Sequence, residues 1–429
     1  MRLSPYASDT HMKYKLFRFL NRYRWALFFA AIGPGIITAN ADNDAGGITT
    51  YSLAGAQFGY GMLWVLFAIT ISLAITQEMG ARMAAVTGKG FGDLIRERFG
   101  AKWAAFGILI MLIANLSNTV AEFAGIAASM SIFHVSKYIS VPICAVAIAV
   151  LVIKLDYRRV QNIFLISGVV YLSYVVSGIM AHPDWNAALK ACVVPTVNFS
   201  SAYLIMALGV IGTTVTPWGQ FFIQSYFVDK RLRIEQINYA RVDVYVGSFF
   251  TNFIAFFIIV ACASTIWVHH LQINEAADAA RALMPLAGRF AGVLFAVGLL
   301  NASLLSGAVL PLASAYATCE TFGWESGVDR RFSEAPTFFT LFAFIIIGSA
   351  AVVLIPKMPL IQIMFLSQVL NGILLPIILI FALKLTNDKS IMGDYTNSKI
   401  FNFLAQVTIW GLIAITVLLL FSPLFPGAH

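Results

Sequence analysis

The sequence predicts an all-α polytopic membrane protein. Eleven transmembrane helices are expected, ten of them in two inverted repeats of five, with helices 1 and 6 broken. Three observations carry this prediction. Apolar residues fill 59% of the 429 positions and charged residues only 11%, with a mean hydropathy of +0.82; a soluble chain carries about 25% charged residues. The apolar runs are long and lack strict alternation, which selects helices over a closed barrel as the bilayer-compatible backbone. Two of the runs are interrupted by polar residues, glycine and proline at corresponding places in the two halves.

A basic segment, 1–24, runs from Arg2 to Arg24 and precedes a first span without an A-x-A-like cleavage site, so that span is expected to be retained. Span 1 covers 25–54, opens "WALFFAAIGPGII" and is interrupted by "ANADNDAGG" at 39–47. Spans 2 to 5, at 60–86, 102–134, 138–154 and 160–181, are apolar stretches of crossing length and complete a first repeat over 25–181. Span 6, 199–228, opens a second repeat over 199–384 and is interrupted by "GTTVTPWGQ" at 212–220. Spans 7 to 10 follow at 241–268, 287–317, 337–356 and 359–384, and helix 11 at 400–425 stands outside both repeats. Five is odd, so the two repeats face opposite ways. Broken helices in corresponding positions point to an inverted-repeat carrier with its site near the bilayer midplane. Placement alone supports the repeat, because the halves share no convincing residue-level similarity.

Charge tests the topology. With the N-terminus inside, 23 of the 28 Lys and Arg residues fall on the cytoplasmic face, leaving only Lys137, Lys190, Arg281, Arg289 and Lys357 on the other. This positive-inside bias places the chain in a cell membrane, with a cytoplasmic N-terminus and an extracytoplasmic C-terminus. The net charge of +8 is therefore a topology signal, and the expected partner is the lipid bilayer rather than nucleic acid. Cys144, Cys192, Cys262 and Cys319 are scattered singly and are expected to be structural or neutral. No nucleophile–base pair or zinc-ligand spacing suggests an enzyme, and no loop is long enough for a soluble signalling domain.

The interruptions carry the chemistry. An Asp at a helix centre costs about 2.5–3.5 kcal/mol on insertion scales, so Asp42 and Asp44 need a reason to be there. Unwound carbonyls and the negative end of a half-helix suit a cation, and Asp44 adds formal charge. The alternative for Asp44, an ion pair with a distant Arg, finds few interior basic partners. Gly46 and Gly47 permit conformations closed to other residues. Pro217 removes a donor and frees carbonyls near Thr213. The Thr216 hydroxyl either joins the site or bonds the carbonyl four residues back. An oxygen-rich set without sulfur or imidazole fits a hard divalent cation. Asp42 either lines the vestibule or bonds backbone, and Trp218 either packs or walls the cavity. Glu122 and Asp243 are gate or helix-pairing residues. His269 and His270 form a solvated pair in an outer loop, with a surface metal site as the alternative.

"GPGIITANADNDAGG" resembles the first-helix signature of the Nramp divalent-metal transporters, in which GPG is followed after eight residues by Asp-Pro-Gly-Asn. "AGAQFGYGMLWVLFAITISLAITQEMGARMAAVTGKG", "AHPDW", "FAVGLLNASLLSG" and "LSQVLNGILLP" are similar to later parts of that family. The resemblance covers nearly the whole chain and implies a LeuT-type fold and alternating-access transport. It aligns the family Asp with Asp44, its Pro with Ala45, its Asn with Gly47, its carbonyl ligand with Thr213, and its Met-Pro-His with Thr216-Pro217-Trp218. A second family histidine falls on Ile223 or Gln224, and the span-3 Asp-Leu-Ala-Glu becomes Thr119-Val120-Ala121-Glu122. These departures resemble the Nramp-related magnesium transporters.

The resemblance thus implies a metal site of Asp44, Gly47, Thr213 and Thr216. Gln368 is expected either in a wider shell that bonds metal-bound water or in an interhelical hydrogen bond. The expected activity is uptake of partly hydrated Mg²⁺ and Mn²⁺ without proton coupling, by a monomer needing no cofactor. Three alternatives stay open: a proton-coupled Mn²⁺/Fe²⁺ carrier, a Na⁺-coupled amino-acid carrier, and a non-transporting sensor.

Overall fold

A computed structural model describes residues 43–154, 168–327 and 330–421. The N-terminal segment, the first half of span 1 with Asp42, and the start of span 5 lie outside the described residues. Fourteen helices matter for the site. They are α1 (Ala45–Phe58), α2 (Leu63–Thr87), α3 (Phe91–Phe99), α4 (Ala101–Ile132), α5 (Lys137–Lys154), α6 (Leu172–Met180), α7 (Trp185–Val193), α8 (Ser201–Thr214), α9 (Pro217–Asp229), α10 (Ile237–Cys262), α11 (Ala291–Phe322), α12 (Pro336–Leu354), α13 (Leu360–Thr386) and α14 (Lys399–Phe421).

Among the described residues, eight helical stretches are long and apolar enough to cross a membrane, counting α8 and α9 as one, and α5 is a shorter apolar helix. These match spans 2 to 4 and 6 to 11 to within a few residues at most ends. The largest boundary differences lie in α10, whose α-helix ends at Cys262 and continues as a π-helical turn to Trp267 where 268 was expected, and α11, which runs five residues past its expected end. Three further helical features were not expected. α3 buries Phe91, Leu94 and Ile95 while exposing Glu97 and Arg98, as a short helix lying against the bundle does. α7 is capped by Asp184, whose side chain accepts from Ala187 N at 3.0 Å. Short helical turns also occupy parts of 276–290.

α4 is the central member of the bundle. It packs on α11, α13, α12, α5, α3 and α1, and its residues 118–129 are buried without interruption. α13 in turn lies against α8, α1 and α14. The α8–α13 crossing is a backbone contact: a Cβ on Gly212 would stand 2.0 Å from Gln368 O and 2.4 Å from Gly372 N. Only residues without side chains at the crossing let the sixth span approach α13 this closely, and this places Thr213 beside the polar middle of α13.

At the end where α2 finishes and α10 begins, a buried carboxylate is shared by two arginines. Glu78 pairs with Arg82 at 3.0 Å and with Arg241 at 2.9 Å, and Arg82 Nη1 donates to Tyr395 O at 2.6 Å. Asp243, buried two residues beyond Arg241, belongs to this end of the bundle. Pairing from two sides is what makes a buried carboxylate tolerable.

The crossing yields a stability prediction. Overpacking a tight contact costs about 1–3 kcal/mol, so Gly212→Ala is expected to lower the melting temperature by several degrees. Gly348→Ala, where an added Cβ meets nothing within 4 Å, is expected to leave it within a degree or so. Thermal unfolding followed by size-exclusion in detergent reads both.

Candidate functional site

The second interruption separates two helices, and at the first, within the described residues, a helix starts. At the first, Asp44 is the N-cap of α1, with extended backbone (φ −73°, ψ 179°), and its Oδ1 accepts from Gly47 N at 2.6 Å. The carboxylate thereby satisfies one of the donors left over at a helix start and faces the positive end of the half-helix dipole. The negative half-helix end expected here belongs to residues before 43, outside the described residues. Gly46 and Gly47 take ordinary helical backbone rather than an unusual conformation. Space is what Gly46 supplies, because a Cβ there would lie 1.9 Å from Gln368 Nε2.

At the second break, α8 ends at Thr214, Val215 and Thr216 are extended, and Pro217 opens α9. The helical partner of the Thr213 carbonyl would be the N–H of residue 217, which proline lacks. The Thr213 hydroxyl is also buried without a partner. Thr216 does not bond the carbonyl four residues back. Its Oγ1 accepts from Gly219 N at 3.2 Å and caps α9. Tyr51 on α1 and Thr214 on α8 meet at 2.9 Å between hydroxyls, joining the two broken spans.

Glu122 is the residue whose position the sequence left open. It reaches the first break from α4: its Oε2 accepts from Ala45 N at 3.3 Å, and its carboxyl group lies against that of Asp44. Its Oε1 has no hydrogen-bond partner. The α1 terminus thus holds two buried carboxyl groups, and neither takes part in any ion pair among the described residues. Gln368 extends from α13 over Gly46 and bonds Asn118 on α4 and Asn371 on α13. The signal for Glu122 was present in the sequence: Asn115, Asn118, Thr119 and Glu122 share one face of an otherwise apolar helix.

The remaining candidates separate from this centre. Trp218 is buried against Leu305, Val309, Leu310 and Phe222, a packing role. His269 is exposed, with Nδ1 2.8 Å from Thr265 O. His270 lines a cavity of about 660 Å³ with Gln57, Gln272, Asn274, Gln362 and Phe365, one helical turn from Gln368 along α13. The described residues contain no cluster of three His, Cys, Asp or Glu side chains suited to a metal ion. What the breaks bring together is carboxyl, carbonyl, hydroxyl and amide oxygen, the donor types that suit hard cations.

The cap gives a direct test. Removing a threonine N-cap costs about 0.5–2 kcal/mol, so Thr216→Val is expected to lower the melting temperature by a few degrees. Thr216→Ser, which keeps the oxygen, is expected to stay near the parent.

The comparisons agree with this architecture. A "divalent metal cation transporter MntH" from Brucella suis biovar 1 is 28% identical over 438 residues, covering 98% of this chain and 93% of the relative. One from Burkholderia ambifaria is 28% identical over 380 residues, covering 85% and 82%. Among solved structures, a manganese transporter of Eremococcus coleocola superposes with a TM-score of 0.74 at 19% identity, covering 93% of this chain and 87% of its own. Mhp1, a nucleobase-cation-symport-1 family transporter, superposes with a TM-score of 0.56 at 14% identity, covering 93% and 94%. These neighbours show the LeuT-type fold. Residues 35–422 match the family profile described as natural resistance-associated macrophage protein-like. The chain belongs to the Nramp family, whose members are transporters and not enzymes.

Proposed function

We propose that this protein takes up divalent metal ions by alternating access, carrying Mg²⁺ and Mn²⁺ as partly hydrated ions and without protons. The observation that carries the proposal is the pair of buried carboxyl groups at the start of α1, Asp44 and Glu122, with no basic side chain among the described residues paired to either. Two adjacent carboxyl groups in a low-dielectric interior can both ionise only beside a positive partner. In this reading Asp44 is the anionic ligand and the Thr213 carbonyl faces it from the second break. Thr216 and the space over Gly47 complete a shell that leaves room for water, and Gln368 bonds that water. The relatives named for divalent metal and manganese support the substrate class. Magnesium follows from the donor set: a thioether and a side-chain amide give way to Thr216 and Gly47, and Mg²⁺ keeps its water and prefers oxygen.

The side chains that lead away from Glu122 support uncoupled transport. Along α4 the next buried polar side chains are Thr119, Asn118 and Asn115, and none of them titrates. Ile223 and Gln224 are likewise unable to relay a proton, and the Gln224 amide donates to Lys89 O at 2.8 Å. The distribution of Lys and Arg supports a cytoplasmic N-terminus. The second reading, a proton-coupled Mn²⁺/Fe²⁺ carrier, draws on one observation: Glu122 persists and touches Asp44.

Three measurements bear on this proposal. Asp44→Ala is expected to abolish Mg²⁺ and Mn²⁺ uptake into proteoliposomes while leaving monodisperse protein; near-parental flux would remove Asp44 from the site. Gly47→Asn combined with Thr216→Met is expected to shift competition toward Mn²⁺ or Cd²⁺ over Mg²⁺. If preference does not move, selectivity lies in the wider cavity. Vesicles loaded with a pH dye, under clamped potential and an inward metal gradient, are expected to show no acidification. Acid entry that follows metal influx and vanishes in Asp44→Ala would establish the coupled reading.

A further inference from the structure

Three buried amides meet behind the first break. Gln368 Oε1 accepts from Asn371 Nδ2 at 3.0 Å, while Gln368 Nε2 lies over Gly46 and donates to Ser367 Oγ at 3.1 Å and Asn118 Oδ1 at 3.5 Å. Asn371 Nδ2 also donates to Asn118 Oδ1 at 2.9 Å, and Asn118 Nδ2 donates back to Asn371 Oδ1 at 3.3 Å. All three side chains are fully buried. They close a ring between α4 and α13, and the ring presents one amide to the first turn of α1.

The orientation of that amide has a chemical consequence. Gln368 turns its NH₂ toward the helix break and its carbonyl toward Asn371. An NH₂ group neither ligates a cation nor accepts a hydrogen bond from water held by one; a carbonyl does both. A loaded site therefore needs Gln368 reversed. Turning a lone buried amide would leave its neighbours unsatisfied at about 1–3 kcal/mol per group. In a ring of three amides the loss is avoidable, because each member carries a donor and an acceptor and all can reverse together, while the Ser367 hydroxyl, which donates to Met364 O at 2.8 Å, rotates to donate to the reversed Gln368.

We propose that Asn118, Asn371 and Gln368 form a reversible amide switch in which Asn118 and Asn371 are positioning residues that set ion preference. Reversal of the ring presents the Gln368 carbonyl to water on the bound ion. The inference rests on the reading that the ion sits between the two breaks. Mg²⁺ gives up water reluctantly, so its binding depends on acceptors beyond its own ligands. Mn²⁺ exchanges water for protein oxygen more readily and depends on them less. The ring therefore favours Mg²⁺ through its water.

The test is paired Mg²⁺ and Mn²⁺ uptake by the reconstituted full chain carrying Asn118→Leu or Asn371→Leu, which keep side-chain volume and remove the hydrogen bonds. KM for Mg²⁺ is expected to rise about five- to tenfold, the scale of one lost neutral hydrogen bond, while KM for Mn²⁺ moves about twofold or less. The double variant is expected to match the singles, since either change opens the ring. A structural role alone would depress both ions alike, so equal KM changes, or a fall in maximal rate at constant ion preference, would overturn the proposal. Should leucine prevent folding, Asn118→Ser and Asn371→Ser serve instead, with a smaller shift in the same direction; an unchanged Mg²⁺-to-Mn²⁺ ratio refutes the switch there too. Asp44→Ala is measured alongside. If it still transports, the site itself is misplaced; if it does not, the amide variants are judged on their own.

Discussion

Two carboxyl groups held against each other at the start of a half-helix set the terms for the rest of this molecule. Asp44 caps α1 through Gly47 N, and Glu122 accepts from Ala45 N one residue away. The positive end of the α1 dipole offsets part of their charge, about half an elementary charge in the usual approximation. The remainder needs a cation or a proton, because no lysine, arginine or histidine among the described residues is paired with either group. The second broken span offers the complement, a carbonyl deprived of its helical donor by Pro217 and a threonine that caps the next half-helix. Each half of the site is a helix terminus. Together they supply charge and dipole at the middle of the bundle, where continuous helices would offer neither.

Packing makes this arrangement possible. The glycine-lined crossing of α8 and α13 brings the second break beside Gln368, and Gly46 lets the Gln368 amide rest directly on α1. The ion pairs of Glu78 with Arg82 and Arg241 tie one end of the bundle. At the other end a polar cavity reaches Phe365, one turn from Gln368.

Much of this was legible in the sequence because the strongest signals are local. Span length and hydropathy located the long helices, and the polar stretch 212–220 around Pro217 contained the second break, which the structure places at Val215 and Thr216. Asp44 stood out because a carboxylate in an apolar run is costly. Three features were less accessible. Gly46 and Gly47 suggested unusual backbone, but Gly46 serves a close contact that depends on where α13 lies. Thr216 had two local options, and the structure shows a third, the N-cap, available only because α9 starts at Pro217. Glu122, Asn118 and Asn371 have identities visible in the sequence but a meaning set by tertiary contacts more than seventy residues away in the chain. Such contacts leave no local trace beyond a polar face on α4.

In the proposed mechanism the transported ion sits between the Asp44 carboxylate and the Thr213 carbonyl. Anomalous diffraction from crystals soaked in Mn²⁺ tests it most directly. The account predicts a single strong peak inside the bundle, bounded by Asp44, Thr213 and Thr216, with water completing its coordination on the Gln368 side. A peak at the outer loop near His269 and His270 with nothing at the breaks would contradict it.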